Sequence, residues 1–147
     1  MTPIAITKTT IKGSIEIILD NDYVTLIYKN DLKALEVLWK KFTPSKHYFE
    51  ILQVAYRAAA SHPVKYWISD MTNAGVISLE NQKWIKKELI PRLLKGGVEK
   101  IGVVVSLDIF NKMFTDELRK ILGHQVCKYF YSLPEAENWA RKEVQKL

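Results

Sequence analysis

Two kinds of pattern divide the chain, and the boundary between them limits the folds that it can adopt. Up to Lys40, three short segments of alternating apolar and polar residues follow one another through turns, as in antiparallel hairpins. From Val64 onward, each apolar strand pattern is followed by a helical pattern. Because a helical crossover joins parallel strands, the sequence predicts an α/β protein with a mixed sheet, in the order βββαβαβαβα.

The three early strands are predicted at residues 13–20, 23–29 and 34–40, with Asn21-Asp22 and Asn30-Asp31 as turns. The later pattern is a helix over 45–61, a strand over 64–70, a helix from 79, a strand over 100–106, a helix or broken helix over 110–122, a strand over 124–132 and a closing helix over 133–147. We expect the nearly continuous apolar run at 100–106 to be a central strand.

The helix that starts at residue 79 carries two specific expectations. Leu79, Ile85 and Leu89 are predicted on its inward face, and Pro91 is predicted to kink or end it. Pro has no N–H to donate and its ring collides with the preceding turn, which is the reason for the second expectation.

The composition favours one soluble domain. A length of 147 residues, with 48% hydrophobic and 26% charged residues, is typical of a single globular core. Residues 1–13 are predicted to be a peripheral segment and do not read as a secretion signal, and no apolar run is long enough for a transmembrane segment. We therefore expect a cytoplasmic protein. The net charge of +6 is dispersed along the chain, which does not favour nucleic-acid binding.

Residue types that carry catalysis or bind metals are sparse. Cys127 is the only cysteine and lies in an apolar strand pattern, so a buried thiol is predicted. His47, His62 and His124 are not at metal-binding spacings, and no nucleophile elbow or P-loop is present. The sequence predicts no catalytic residues, no metal and no cofactor, and a protein that is not an enzyme.

The loop after the strand at 64–70 is the predicted functional site. Asp70 ends the strand, Thr72 and Asn73 follow in a polar loop, and Ser78 is placed to begin a helix. Loops at the carboxyl ends of such strands lie beside helix N-termini, where unpaired N–H groups are available to ligands and partners. The alternative is purely structural: Ser78 caps the helix, Thr72 bonds within its own loop and Asp70 accepts backbone N–H groups.

The helix after this loop is basic and carries Trp84. Its cationic residues are Lys83, Lys86, Lys87, Arg92 and Lys95. We predict partner contacts at Trp84 and Lys87, while a solvated basic face with Trp84 in the core is the alternative. Trp39, Trp67 and Trp139 lie on apolar faces and are predicted to be core residues or pocket walls.

Four segments together resemble the STAS-like superfamily, in the branch related to sporulation anti-sigma-factor antagonists. They are YWISDMTNAGVIS, WIKKELIPR, KIGVVVSLDIF and YFYSLPEAENWA, and they cover most of the chain from about residue 15 onward. The resemblance implies a small α/β domain, often bacterial, that regulates by binding other proteins. Related folds include lipid-transfer domains of the CRAL-TRIO type.

The antagonists of that branch carry a phosphorylatable serine at a helix start, in a D-S-S-G arrangement that this chain lacks. The equivalent stretch here leaves Thr72 and Ser78 as the hydroxyl candidates for phosphorylation. A phosphate at either position would gain from helix N–H groups and would repel an acidic partner.

Two functions are therefore expected. The first is a non-enzymatic regulatory or protein-interaction domain that docks an unknown protein partner through loop 70–78 and the basic helix after it. The alternative is a carrier or sensor of a lipid or other apolar small molecule in a pocket between helices and sheet. A homodimer is compatible with both.

Overall fold

The computed structural model describes residues 10–146 and forms one seven-stranded sheet with helices on both faces. The strands are β1 (Thr10–Lys12), β2 (Ile15–Asp20), β3 (Val24–Lys29), β4 (Ala34–Trp39), β5 (Tyr66–Asp70), β6 (Lys100–Val104) and β7 (Cys127–Phe130). The helices are α1 (Ser45–Ser61), α2 (Leu79–Trp84), α3 (Ile90–Lys95), α4 (Ile109–Leu122) and α5 (Leu133–Gln145), with a π-helical turn at Ile85–Leu89 joining α2 to α3.

The order of the strands in the sheet equals their order in the chain. Strands β1 to β4 pair antiparallel, and β4 to β7 pair parallel. The predicted α/β class and mixed sheet are confirmed, with β1 as an additional edge strand. Part of the N-terminal segment expected to be peripheral thus belongs to the sheet, while its residues 1–9 lie outside the described residues.

The first hairpin forms where its turn residues predict it. The Asn21 side-chain oxygen accepts hydrogen bonds from the N–H groups of Tyr23 and Val24, at 2.8 and 3.0 Å. This local bond reverses the chain and sets the pairing of Asp20 with Thr25. The next turn ends at Lys33, whose φ of 52° lies in the left-handed region.

Three parallel connections in the same direction place their helices on one face of the sheet. Buried side chains of α1, of the helical segment from α2 to α3 and of α4 form a large core with this face. Helix α5 covers the opposite face, where Ala136 and Ala140 pack beside Tyr66, Ile68 and Val104. No helix within residues 10–146 has both the length and the apolar character needed to span a membrane.

The helical segment after residue 79 bears on two expectations. Of the two outcomes predicted for Pro91, a kink or an end, the end is wrong, because α3 continues to Lys95; the π-helical turn ends at Leu89, two residues before the proline. Ile85 and Leu89 are buried as predicted, but Leu79 is 74% exposed. Residues 79 and 85 are six positions apart, which puts them about 120° apart around a helix, so Leu79 cannot share the inward face.

Other elements match the sequence with small differences. Helix α4 is unbroken from Ile109. Strand β7 is shorter than expected, because the N–H groups of Val126 and Cys127 both bond to the Gly123 carbonyl in a turn. Trp39 and Trp67 are core residues, whereas Trp139 is half-buried on the other face.

Candidate functional site

The carboxyl ends of the parallel strands β4 to β7 meet at one edge of the sheet, which we call the carboxyl edge. The loops that leave this edge are residues 40–44, 71–78, 105–108 and 131–132. The predicted site, loop 71–78 after Asp70, lies between its two neighbours in the middle of this row. Tertiary structure therefore surrounds the loop with side chains from distant parts of the sequence.

Loop 71–78 begins with a local hydrogen-bonded turn. The Asp70 carboxylate accepts bonds from the Thr72 N–H at 3.1 Å and from the Thr72 hydroxyl at 2.7 Å. This is the structural role that the sequence offered for both residues, and it occupies one carboxylate oxygen. Thr72 and Asn73 are exposed, so both side chains remain accessible from solvent.

The middle of the loop is held against the protein. Met71, Ala74 and Ile77 are buried, and the Met71 N–H donates to the Val104 carbonyl at 3.0 Å. Gly75 has a φ of +69°, and a Cβ there would lie 3.0 Å from the Cβ of Phe42. The loop is therefore a built, ordered structure that needs glycine at this position.

Asn111 fastens this loop to α4, and sequence reasoning missed it. The side chain is 2% exposed; its oxygen accepts from the Ile77 N–H at 2.9 Å, and its amide donates to the Gly75 carbonyl. Asn111 lies on the inward face of α4 with Phe114 and Leu118. A polar amide on an apolar helical face was the signal that could have identified it, because buried amides need partners.

Ser78 caps α2, as the structural alternative predicted. Its Oγ accepts a bond from the Asn81 N–H at 3.1 Å and lies 3.0 Å from the Oγ of Ser45 at the start of α1. The Asn81 side chain donates to the backbone oxygen of Ser45 at 2.9 Å. These bonds bring the starts of α1 and α2 together, so the Ser78 hydroxyl is engaged on two sides.

Trp84 and Lys87 lie further along the same helical segment. Trp84 is half-buried and packs edge-on against Phe49, with ring centroids 4.8 Å apart. It shares a recess with Lys46 and Glu80, whereas Lys87 is exposed. Among residues 10–146, no hydrogen bond, ion pair or ring contact joins Trp84 to the Asp70 end of the loop.

The carboxyl edge carries most of the exposed apolar surface. Of the ten large apolar side chains that are exposed among the described residues, eight belong to its loops or to the first two turns of the helices that follow. They are Phe42, Val76, Leu79, Leu107, Ile109, Phe110, Met113 and Tyr131. Isolated exposed apolar residues are ordinary, but a concentration at one edge is typical of a binding surface.

Part of this surface is a groove between the starts of α2 and α4, with a volume of about 530 Å³. Ile77 and Phe114 are buried at its base, and its walls are formed by Val76, Leu79, Phe110 and Met113. We call this feature the α2/α4 groove. Sequence reasoning placed Leu79 in the core and assigned no role to Phe110 or Met113.

A second space lies inside the core, between the sheet and the helices on its large-core face. It has a volume of about 60 Å³ and is lined mainly by apolar side chains, including Trp67, Ile101 and Phe114. Ligand pockets usually hold about 300 Å³ or more, so this cavity would need to enlarge severalfold to accept a lipid.

Two side chains of catalytic residue types, Cys127 and His62, are held by burial or by hydrogen bonds in the structure. Cys127 is fully buried, as predicted, and burial raises the pKa of its thiol to about 11. His62 lies between Glu16 and Ser61, the residue types of a hydrolase triad. Its Nδ1 is 2.8 Å from the Ala58 carbonyl, which can only accept, so Nδ1 carries a proton and has no lone pair for Ser61.

Within the described part of the chain, no three His, Cys, Asp or Glu side chains are grouped as metal ligands would be.

The fold and its edge define an α/β protein with a mixed sheet and an apolar surface where its parallel strands end. Comparisons with protein-family models, with curated proteins and with solved structures find no match for this chain.

Proposed function

We propose that the chain is a non-enzymatic, STAS-like regulatory domain that binds a protein partner through loop 70–78 and the basic helical segment that follows. The observation that carries the proposal is the concentration of exposed apolar side chains at the carboxyl edge, including Val76 within the loop and Leu79 directly after it. Covering such side chains removes apolar surface from water, which is the main favourable term in protein association.

The order of the loop also supports a binding role. The bonds of Asp70, Asn111 and Ser78 hold loop and helix start in one arrangement before any partner arrives. A surface that is ordered in advance loses less conformational entropy on binding, which favours affinity. Lys83 and Lys87 add exposed positive charge to the same segment and would attract an acidic partner.

Phosphorylation at Thr72 or Ser78 is a regulatory part of this proposal. Thr72 is exposed, and a phosphate there would bring about −1.5 to −2 charges beside Asp70. Ser78 already caps α2 and contacts Ser45, so its modification would first break these bonds. The Thr72 hydroxyl gives up one bond, to Asp70, and its side chain is exposed, so it is the more accessible of the two hydroxyls.

The alternative is a carrier of an apolar small molecule in a pocket between helices and sheet. The interior cavity at that place holds about 60 Å³, which is room for a few water-sized molecules at most. The α2/α4 groove, at about 530 Å³, is large enough for a small ligand, but it lies between two helix starts with exposed walls. Native mass spectrometry of gently purified protein separates the two functions: a carrier retains ligand mass, whereas an interaction domain shows its chain mass.

Affinity capture with three matched baits tests the proposal: the wild-type chain, a Trp84→Ala/Leu79→Ala double variant, and Ile121→Ala. Ile121 is exposed on α4 outside the carboxyl edge, so its variant controls for loss of apolar surface elsewhere. We expect at least one protein to bind the wild type and the control and to weaken about tenfold or more with the double variant. If the double variant retains every captured protein at unchanged affinity, this surface is not the docking site.

Asp70→Ala gives a second, independent arm of the same experiment. Its effect on affinity measures the contribution of the loop, because Asp70 and Trp84 lie in separate groups of contacts. A loss with Trp84→Ala/Leu79→Ala but not with Asp70→Ala would confine docking to the helical segment.

A further inference from the structure

The α2/α4 groove has the form of a receptor for one particular kind of partner segment. Its base is buried while its walls are exposed, with Leu79 74% exposed on one side and Phe110 and Met113 each 61% exposed on the other. The surface is therefore concave between two helix starts. A lipid bilayer is flat at this scale and would rest on the walls, whereas a row of side chains from a helix can fill the space between them.

The groove is also fixed in shape. Asn111 joins its α4 side to the loop, and the Gln82 amide donates to the Ile77 carbonyl at 3.0 Å. Lys86 on the α2 side forms an ion pair with Glu117 on the α4 side. These cross-connections hold the two walls apart although no side chain of the described residues fills the space between them.

The charged residues that flank the groove indicate which charge a bound partner segment should carry. Glu117 is paired with Lys86, and the Asp108 carboxylate accepts the N–H groups of Phe110 and Asn111 at the start of α4. Lys83, four residues after Leu79, is exposed and has no ion pair among the described residues.

The α4 side of the groove also carries an exposed lysine without an ion pair among the described residues. Lys120, seven residues after Met113 and hence on the same side of α4, is exposed and forms no ion pair within residues 10–146. Asp116, which lies between them on the helix, is 3.8 Å from Arg119.

Two acidic residues at these helix starts also form no ion pair among the described residues: Asp108 caps α4, and Glu80 lies in the recess of Trp84 and Lys46 and does not line the groove. Further along the two helices, the exposed residues Lys83 and Lys120 leave positive charge beside the groove.

We infer that the α2/α4 groove binds an amphipathic helix of a partner protein, with apolar side chains at i, i+3, i+4 and i+7 in the groove and acidic residues along its edges. The inference rests on the proposed function and specifies the chemistry of its partner. The apolar row would fill the space between Leu79 and Phe110, and the acidic residues would face Lys83 and Lys120.

Selection from a displayed library of random peptides against the full chain tests the inference, with the enriched peptides then measured by fluorescence polarisation. We expect the enriched sequences to share helical apolar spacing and an excess of Glu and Asp. Their affinity should fall about tenfold or more with Leu79→Ala and with Phe110→Ala, and be unchanged with Ile121→Ala. Lys83→Glu should weaken binding and reduce its dependence on salt. Melting curves of each variant show that it is folded.

Other outcomes overturn the inference, and they separate it from the proposed function. Peptides that are extended or basic, yet still depend on Leu79 and Phe110, refute the helical acidic occupant and leave a protein-binding surface. If no enriched peptide depends on Leu79 or Phe110 for binding, the groove does not bind such a helix and the inference is refuted. If, in addition, the chain binds vesicles of phosphatidylglycerol and phosphatidylcholine and Leu79→Ala abolishes this binding, the carboxyl edge is a membrane-binding surface and both proposals are wrong.

Discussion

Replacing Glu36 with glutamine should stabilise the protein, and increasingly so as the pH rises. Glu36 lies in β4 with 0% exposure, paired in the sheet with Ile27 on β3 and Ile68 on β5. Its Oε1 is 3.2 Å from the Nζ of Lys29, which also forms an ion pair with Glu137 on α5. Two carboxylates thus share one ammonium group beneath a helix.

The sign and size of the effect follow from this arrangement. Burial raises the pKa of Glu36 to about 8, and the Glu137 carboxylate adds to the rise while Lys29 opposes it. The ordinary pKa is 4.5, so between pH 4.5 and about 8 the folded state binds a proton that the unfolded state releases. The stability associated with Glu36 is complete below pH 4.5 and is lost as the pH rises through about 8.

Each pKa unit corresponds to about 1.4 kcal/mol, so the loss reaches at most about 5 kcal/mol, and relaxation around the charge reduces it. Glutamine keeps the shape of the side chain without ionising.

Urea unfolding of both proteins between pH 5 and pH 9, followed by tryptophan fluorescence, measures the effect. We expect Glu36→Gln to gain about 2 kcal/mol or more over the wild type as the pH increases across this range. Glu88→Gln, on an exposed residue paired with Arg92, is the control and should show little change. A difference between Glu36→Gln and wild type that does not vary with pH would refute the reasoning.

Three further predictions concern single sites. The Cys127 thiol should not react with Ellman's reagent at pH 8 until the protein unfolds, because it is buried and its pKa is raised to about 11; prompt reaction of folded protein would contradict this. Gly75→Ala should destabilise the protein by about 1–3 kcal/mol through backbone strain and crowding, and by more than Gly13→Ala, where a Cβ meets no atom within 4 Å; equal urea midpoints would argue against crowding. Asn111→Ala should cost about 2 kcal/mol or more, because it leaves buried backbone groups unpaired, whereas the exposed Asn73→Ala should cost under about 0.5 kcal/mol in the same assay.

Much of the fold was predictable because its signals are local. Asn21 turns the first hairpin through bonds to residues two and three positions away, and Ser78 caps α2 through a residue three positions away. The continuous apolar run at β6 marks a strand buried on both faces, and burial of Gly102 through Val104 confirms it. Interactions over a few residues can be read from the chain without knowing how it packs.

The candidate site was only partly predictable, because its contacts are distant in sequence. Asp70 and Thr72 bond to each other, as their spacing suggested, but Asn111 reaches loop 71–78 from more than thirty residues away. Leu79 was wrongly placed in the core, since its neighbours along the helix gave no sign that α4 would leave a groove beside it. Nothing in the local pattern of Phe110 or Met113 distinguishes a groove wall from a buried helical face.

Local sequence patterns specify the order of strands and helices, the turns between them and the mixed character of the sheet, since hydrophobic period and turn chemistry act over short stretches of chain. Two features depend on how these elements pack: the loops after β4, β5, β6 and β7 share one edge, and Glu36 lies buried under α5. Glu36 alternates with the core residues Leu35 and Val37, a position that in an isolated hairpin would face water. Helix α5 covers that face in the folded protein and excludes water from Glu36. The earlier helices cannot do this, because the crossovers place them on the opposite side of the sheet.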